Sequence, residues 1–118
     1  MMYYKLTKDK KVVRVSKKEG LLQYGEDRRV DWTEDKNYHV STVFLVTDHS
    51  FGSNAIHVFE TMVFPLNSME EQAMERYSTW KEAKEGHRKM CEKWLKPQTY
   101  LPCYTGKRLI TFGEENAG

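Results

Sequence analysis

Long apolar runs are missing from this chain. No stretch approaches the roughly 20 apolar residues needed to cross a bilayer, and the amino terminus, MMYYKLTKDKK, lacks the apolar centre of a signal peptide. A soluble, unexported protein is therefore expected. Cysteine is scarce as well. Cys91 sits inside a helical pattern and Cys103 between Pro102 and Tyr104, so a disulfide framework is not indicated and a reducing cytosol fits. There is no phosphate-cradling glycine loop, no Gly-x-Ser-x-Gly elbow and no dinucleotide fingerprint, which lowers the prior for the familiar enzyme classes. His39, His49, His57 and His87 show no short paired spacing and neither cysteine adjoins them, so no metal site and no cofactor are expected.

What is present suits one domain. The 118 residues are enough to bury about two-thirds of the unfolded surface in a single core. A 13% aromatic share argues against disorder despite 31% charged residues. Charge is uneven along the chain. Residues 1 to 18 carry Lys5, Lys8, Lys10, Lys11, Arg14, Lys17 and Lys18 against Asp9 alone, whereas the whole chain is only +2. Such a strip can attract phosphate, but it lacks interleaved aromatics and reads as a solvated edge, so general DNA binding is not expected.

The patterning predicts an α+β fold: a small antiparallel sheet with a central 38–64 hairpin, covered by one main C-terminal helix (79–95), and a short N-terminal helix. Met2 to Leu6 and Val12 to Val15 form an edge hairpin within a basic segment 1–18. In the short helix that follows Ser16, Leu21, Leu22 and Tyr24 offer the apolar face, with Gly25 as its end. Arg29 to Thr33 alternates so that Val30 and Trp32 share the inward face and Asp31 the other. Tyr38 to Thr47 is the longest strand. A regular register sets Val46 opposite Ile56, Phe44 opposite Val58 and Thr42 opposite Glu60. Thr79-Trp80-Lys81-Glu82 has the form of a capping box. From there Trp80, Ala83, His87, Met90, Cys91, Trp94 and Leu95 recur at helical spacing, so the helix should lie on the sheet. Pro97 ends it. The domain core spans 28–95, and 96–118 is an extension in which Arg108 to Phe112 could add a strand.

Candidate chemistry is thin. Asp48-His49 in the 48–54 loop could form a carboxylate-oriented base, although aspartate beside histidine is common in turns. Glu60, planted among Ile56, Val58, Met62 and Phe64, could be an acid or base with a raised pKa; paired with Arg76, Arg28 or Arg29 it would be structural. His87 lies on the helix's apolar stripe, where a hydrogen-bonded core histidine is the ordinary case. A catalytic set of His49, Glu60 and His87 meets a distance problem, because Glu60 lies on the order of 20 Å along the strand from the loop.

Several separated blocks carry a resemblance: Val40-Ser41-Thr42-Val43-Phe44-Leu45, Asp48-His49-Ser50-Phe51-Gly52, Phe59-Glu60-Thr61-Met62-Val63-Phe64, and Met74-Glu75-Arg76-Tyr77-Ser78-Thr79-Trp80 with Glu82, Ala83, Gly86 and His87. In this order they resemble a family of short phage and prophage proteins without a settled activity. The chain departs from that pattern where the family places glycine near Val46, glycine and proline near Ser53 to Ala55, and paired glycines at Pro65 and Leu66. The resemblance implies a viral accessory protein acting in the bacterial host cytoplasm. Two function classes follow. The first is a phage binding protein that counters host antiviral defence, by stoichiometric binding of a defence protein or by sequestering a nucleotide immune signal such as a cyclic nucleotide. In the nucleotide-binding variant Arg28, Arg29 or Arg76 would engage phosphate, Tyr77, Trp80 or Phe51 would stack on a base, and Asp48, His49, Glu60 or His87 would lie at the ligand. Pairing through an exposed strand would give a homodimer with composite pockets. The second class is a small hydrolase or lyase acting on a phosphorylated ligand, with His49 or His87 as base and Glu60 as acid.

Overall fold

The computed structural model describes residues 1–50 and 55–96. Phe51, the 96–118 extension beyond Lys96 and the possible strand at 108–112 lie outside the described residues. The fold is α+β. β1 (Tyr3–Leu6) and β2 (Val12–Val15) form a two-stranded antiparallel sheet, followed by helix α1 (Lys17–Gln23). β3 (Arg29–Glu34), β4 (Tyr38–Phe44), β5 (Phe59–Pro65) and β6 (Ala73–Tyr77) make a four-stranded antiparallel sheet in sequence order, and α2 (Trp80–Trp94) packs across all four strands. The two sheets touch where Tyr4 donates its N–H to the Val46 carbonyl at 2.8 Å. The Tyr4 side chain enters the core there.

The capping box at the start of α2 is complete. Thr79 Oγ1 accepts from the Glu82 N–H and the Glu82 carboxylate accepts from the Thr79 N–H, both at 3.1 Å, which fixes the start of the helix by satisfying donors that have no partner inside it. The expected apolar stripe is the one buried: Ala83, His87, Met90 and Cys91 face the sheet. Among the described residues no helix is long and apolar enough to cross a membrane.

Three local expectations are corrected. The central register is shifted by one: Phe44 stands opposite Phe59, Val43 opposite Glu60 and Thr42 opposite Thr61. A single-residue slip exchanges the faces of every side chain, so Glu60 faces the side away from α2 while Thr61 faces it. The cause lies where β4 ends. Val46 turns the chain with φ 75°, and the connection is tied by Asp48 rather than continuing as a ladder to Thr47. In β3, Arg29 pairs with Val43 but Asp31 with Thr42, so Val30 is an extra, bulged residue. The bulge breaks the alternation; Val30, Asp31 and Thr33 are buried and Trp32 takes the opposite face. In α1 it is Gly20 that turns inward, against Tyr3, while Leu21, Leu22 and Tyr24 are exposed. A Cβ at Gly20 would sit 2.7 Å from the Tyr3 side chain, so the bare backbone is what lets the ring approach.

The core under α2 has two apolar parts. Tyr4, Val30, Phe44, Val46, Val58, Phe59 and Ala83 form one; Val40, Val63, Met90, Cys91 and Leu95 form the other. Between them runs a belt of buried polar side chains, Thr33, Thr42, Thr61 and His87.

Candidate functional site

The belt is built by strand alternation and one helix position. Thr33, Thr42 and Thr61 project from β3, β4 and β5 toward α2, where His87 meets them. Thr42 Oγ1 lies 2.7 Å from His87 Nδ1 and 2.5 Å from Thr61 Oγ1, and Thr33 Oγ1 lies 2.9 Å from His87 Nε2. The Tyr77 hydroxyl lies near Thr61. Asp31 Oδ1 is 3.9 Å from His87 Nε2, while Asp31 Oδ2 accepts from Lys84 Nζ at 2.8 Å. The Trp32 N–H donates to Asp31 Oδ1 at 2.8 Å. A continuous chain therefore links Thr61 through Thr42 to His87 and on to Thr33. Burying these groups would be costly without partners, and here each has one.

Tyr77 is where the belt comes closest to solvent. Its ring lies on Gly86 so closely that a Cβ there would be 2.1 Å from the ring Cζ. Burial pushes the Tyr77 phenol pKa up and Glu75 adds to this, against the opposing hydrogen bond with Thr61. The phenol therefore stays protonated at neutral pH.

Outside the belt, α2 and β6 flank an open groove of about 570 Å³. Its floor holds Tyr77, Gly86 and Met90, and its sides hold Lys81, Lys89 and Lys93 with Glu75, Glu82 and Glu85. The carboxylates are unequally available. Glu82 is held by the Ser78 and Thr79 N–H groups at 3.2 and 3.1 Å. Glu85 accepts from Arg88 Nε at 3.0 Å, and this hydrogen bond, ahead of the charges of Arg88 and Lys89, holds its carboxyl below the usual range. Among the described residues Lys81, Lys89 and Lys93 make no ion pair or hydrogen bond, although the Lys89 charge is felt at Glu85. The groove thus presents three ammonium groups that, among the described residues, make no hydrogen bond, over a mainly apolar floor.

The residues singled out in the sequence are spread over the molecule. His87 is in the belt, 1% exposed. Glu60 is on the far face of the sheet, where Arg76 Nε donates to its carboxylate at 2.9 Å, one of the structural pairings foreseen for it. Asp48 does not orient His49: its carboxylate accepts from the Ser50 N–H, the Ser50 hydroxyl and the His57 N–H at 2.9, 3.1 and 2.9 Å. His49 Nε2 lies instead 3.1 Å from Thr47 Oγ1. Partial burial raises the Asp48 pKa, but the three hydrogen bonds outweigh it and hold the carboxyl below its usual value. His49, Glu60 and His87 are therefore not brought together. Arg28 donates to the Phe44 carbonyl at 3.0 Å and stacks over Tyr24 at 5.0 Å; Arg29 lies over Trp32 at 5.1 Å. Trp80 meets Phe59 edge-on at 6.4 Å beneath the Lys10 ammonium, 4.8 Å away. Of the described residues foreseen at a ligand, Tyr77 alone lines the groove.

The sequence did not single out the groove lysines, which the helical pattern leaves as an ordinary solvated face. The signal that separates them from it is negative: the glutamates nearest them are claimed by the cap at Thr79 and by Arg88. Among the described residues no three histidine, cysteine or acidic side chains cluster as metal ligands would. No protein-family model, no curated protein and no solved structure matches the chain.

Proposed function

We propose that this protein works by stoichiometric binding, as a phage accessory protein that counters host antiviral defence in the bacterial cytoplasm. Its target is a defence protein or a nucleotide immune signal. The observation that carries the reading is how the side chains with catalytic potential are spent. Asp48 ties a loop, Glu60 is paired with Arg76 on one face of the sheet, and His87 is enclosed by threonines on the other. A general acid and base must reach the same bound substrate, and these three are arranged to hold the fold. The resemblance in blocks 40–45, 48–52, 59–64 and 74–87 supplies the viral context.

Two measurements test this. The purified protein is incubated with candidate cyclic nucleotides and heat-denatured, and the released ligand is analysed. Intact ligand is expected; an altered one would place the protein with the hydrolases or lyases instead. A tagged copy expressed in phage-infected host cells should retain either one defence component in stoichiometric amount or a nucleotide. Retention of neither overturns the proposal. A homodimer is part of the same reading, and sedimentation of the pure protein checks it.

A further inference from the structure

We propose that the groove between α2 and β6 is a binding site for a nucleotide carrying more than one phosphate. This deepens the binding reading above and rests on it for the absence of turnover.

The argument starts from charge. Lys81, Lys89 and Lys93 surround the groove without an ion pair or hydrogen bond among the described residues, while Glu82 and Glu85 are engaged by the helix cap and by Arg88. Among the described residues, Glu75 is the one lining carboxylate that makes no hydrogen bond or ion pair. The lining holds three cations and three carboxylates, but two of the carboxylates are already engaged, so the ammonium groups are the side chains left to meet a ligand with more than one negative charge. Lys89 and Lys93 are one turn apart on α2 and so on the order of 6 Å along the axis, close enough to hold adjacent phosphates as point charges. Lys81 is about two turns before Lys89, near the other end.

The floor between these ends is of a different kind. Gly86 offers no side chain, so the Tyr77 ring lies directly on the helix backbone. With Met90 it makes a pinned apolar surface of the sort on which a flat heterocycle packs. With the base there, Lys81 donates to a ring carbonyl or ring nitrogen and Glu75 accepts from an exocyclic amino group. A volume of about 570 Å³ lies within the usual range for small-ligand sites. A fatty acid would satisfy the floor but only one cation. An acidic peptide would satisfy the cations but leave the floor unused.

The test is calorimetric titration of the full chain with adenosine triphosphate, a cyclic dinucleotide, inorganic triphosphate, oleate and hexaglutamate. At least one of the two nucleotides is expected to bind, more tightly than any of the other three. In the Lys89→Gln/Lys93→Gln variant its affinity should fall by roughly tenfold or more, since charge-assisted contacts are lost. Lys17→Gln/Lys18→Gln, on α1, should bind as the unaltered protein does. Inorganic triphosphate binding as tightly as the nucleotides would remove the floor from the argument, and tighter hexaglutamate or oleate would reassign the groove. Nucleotide affinity unchanged in the Lys89/Lys93 variant, or no nucleotide binding at all, overturns the site but leaves a protein target open. A ligand recovered chemically altered would defeat the binding reading and leave the site standing.

Discussion

The two faces of the central sheet solve the same problem in opposite ways. Neighbouring residues on β4 and β5 divide between them: Thr42 and Thr61 point toward α2, Val43 and Glu60 away from it. On the covered face polar groups are enclosed, and a chain of hydroxyls and one imidazole satisfies itself between two apolar clusters. On the other face Glu60 meets Arg76 with 11% and 26% of their side chains exposed, and Trp32 stacks on His39 at 4.2 Å beside Phe64. Water shares the cost there. The contrast shows that a buried carboxylate in an apolar strand is a weaker pointer to chemistry than its face and its partner are.

The comparison breaks most clearly at His87. Replacing it with alanine opens a cavity and removes one hydrogen bond from each of Thr33 and Thr42, so a loss of about 3–4 kcal/mol is expected in urea unfolding. Gly86→Ala should cost about 2–3 kcal/mol, because the new Cβ would meet the Tyr77 ring at 2.1 Å and the ring must leave its bed. A companion Tyr77→Ala should remove most of that extra cost in a double-mutant cycle. On the open face, the cycle of Glu60→Gln and Arg76→Gln should give a coupling of about 1 kcal/mol, discounted for solvent screening. If the Glu60 and His87 substitutions cost the same, the distinction between the faces is wrong.

The loop that sets which residues belong to which face can be tested by pH. Asp48 has a folded-state pKa below its ordinary value of about 3.8, so its contribution is fully present above that value. It is lost as pH falls through the lower folded value. Asp48→Asn should therefore flatten the acid limb of the stability profile below about pH 4 relative to the unaltered protein. An unchanged limb would show that the carboxylate does not hold the loop.

Much of this arrangement was legible in the sequence, and the rest failed for identifiable reasons. The antiparallel hairpin, the capping box and the buried stripe of α2 follow from local periodicity and hydrogen-bonding chemistry, and the structure has them. Glu60 with Arg76 was among the foreseen pairs because an apolar strand leaves a carboxylate few choices. The register, the bulge at Val30 and the inward turn of Gly20 were not legible, since each depends on a residue departing from the periodicity that pattern reading assumes. The belt shares that limit. His87 announced itself as a core histidine, but its threonine partners became recognisable only once the strands were in register. The groove was missed because lysines on a helix surface look alike until the neighbouring carboxylates are assigned.

Val46 offers the finest test, because it sits where the two faces are put in register. It is fully buried and yet adopts φ 75°, a left-handed conformation that costs a β-branched residue roughly 1–2 kcal/mol. Truncation to alanine loses most of the packing and keeps a Cβ in that region. Truncation to glycine loses slightly more packing but removes the steric penalty. Glycine is ordinarily the more destabilising of the two. Here the order should invert, with Val46→Gly about 1 kcal/mol more stable than Val46→Ala, whereas at Val58, equally buried in a stretch with no left-handed residue, Val58→Gly should remain the worse. Chemical denaturation of the four variants decides it. The normal order at Val46 would mean that the turn tolerates valine without strain, and that the one-residue register shift is held by Asp48 alone.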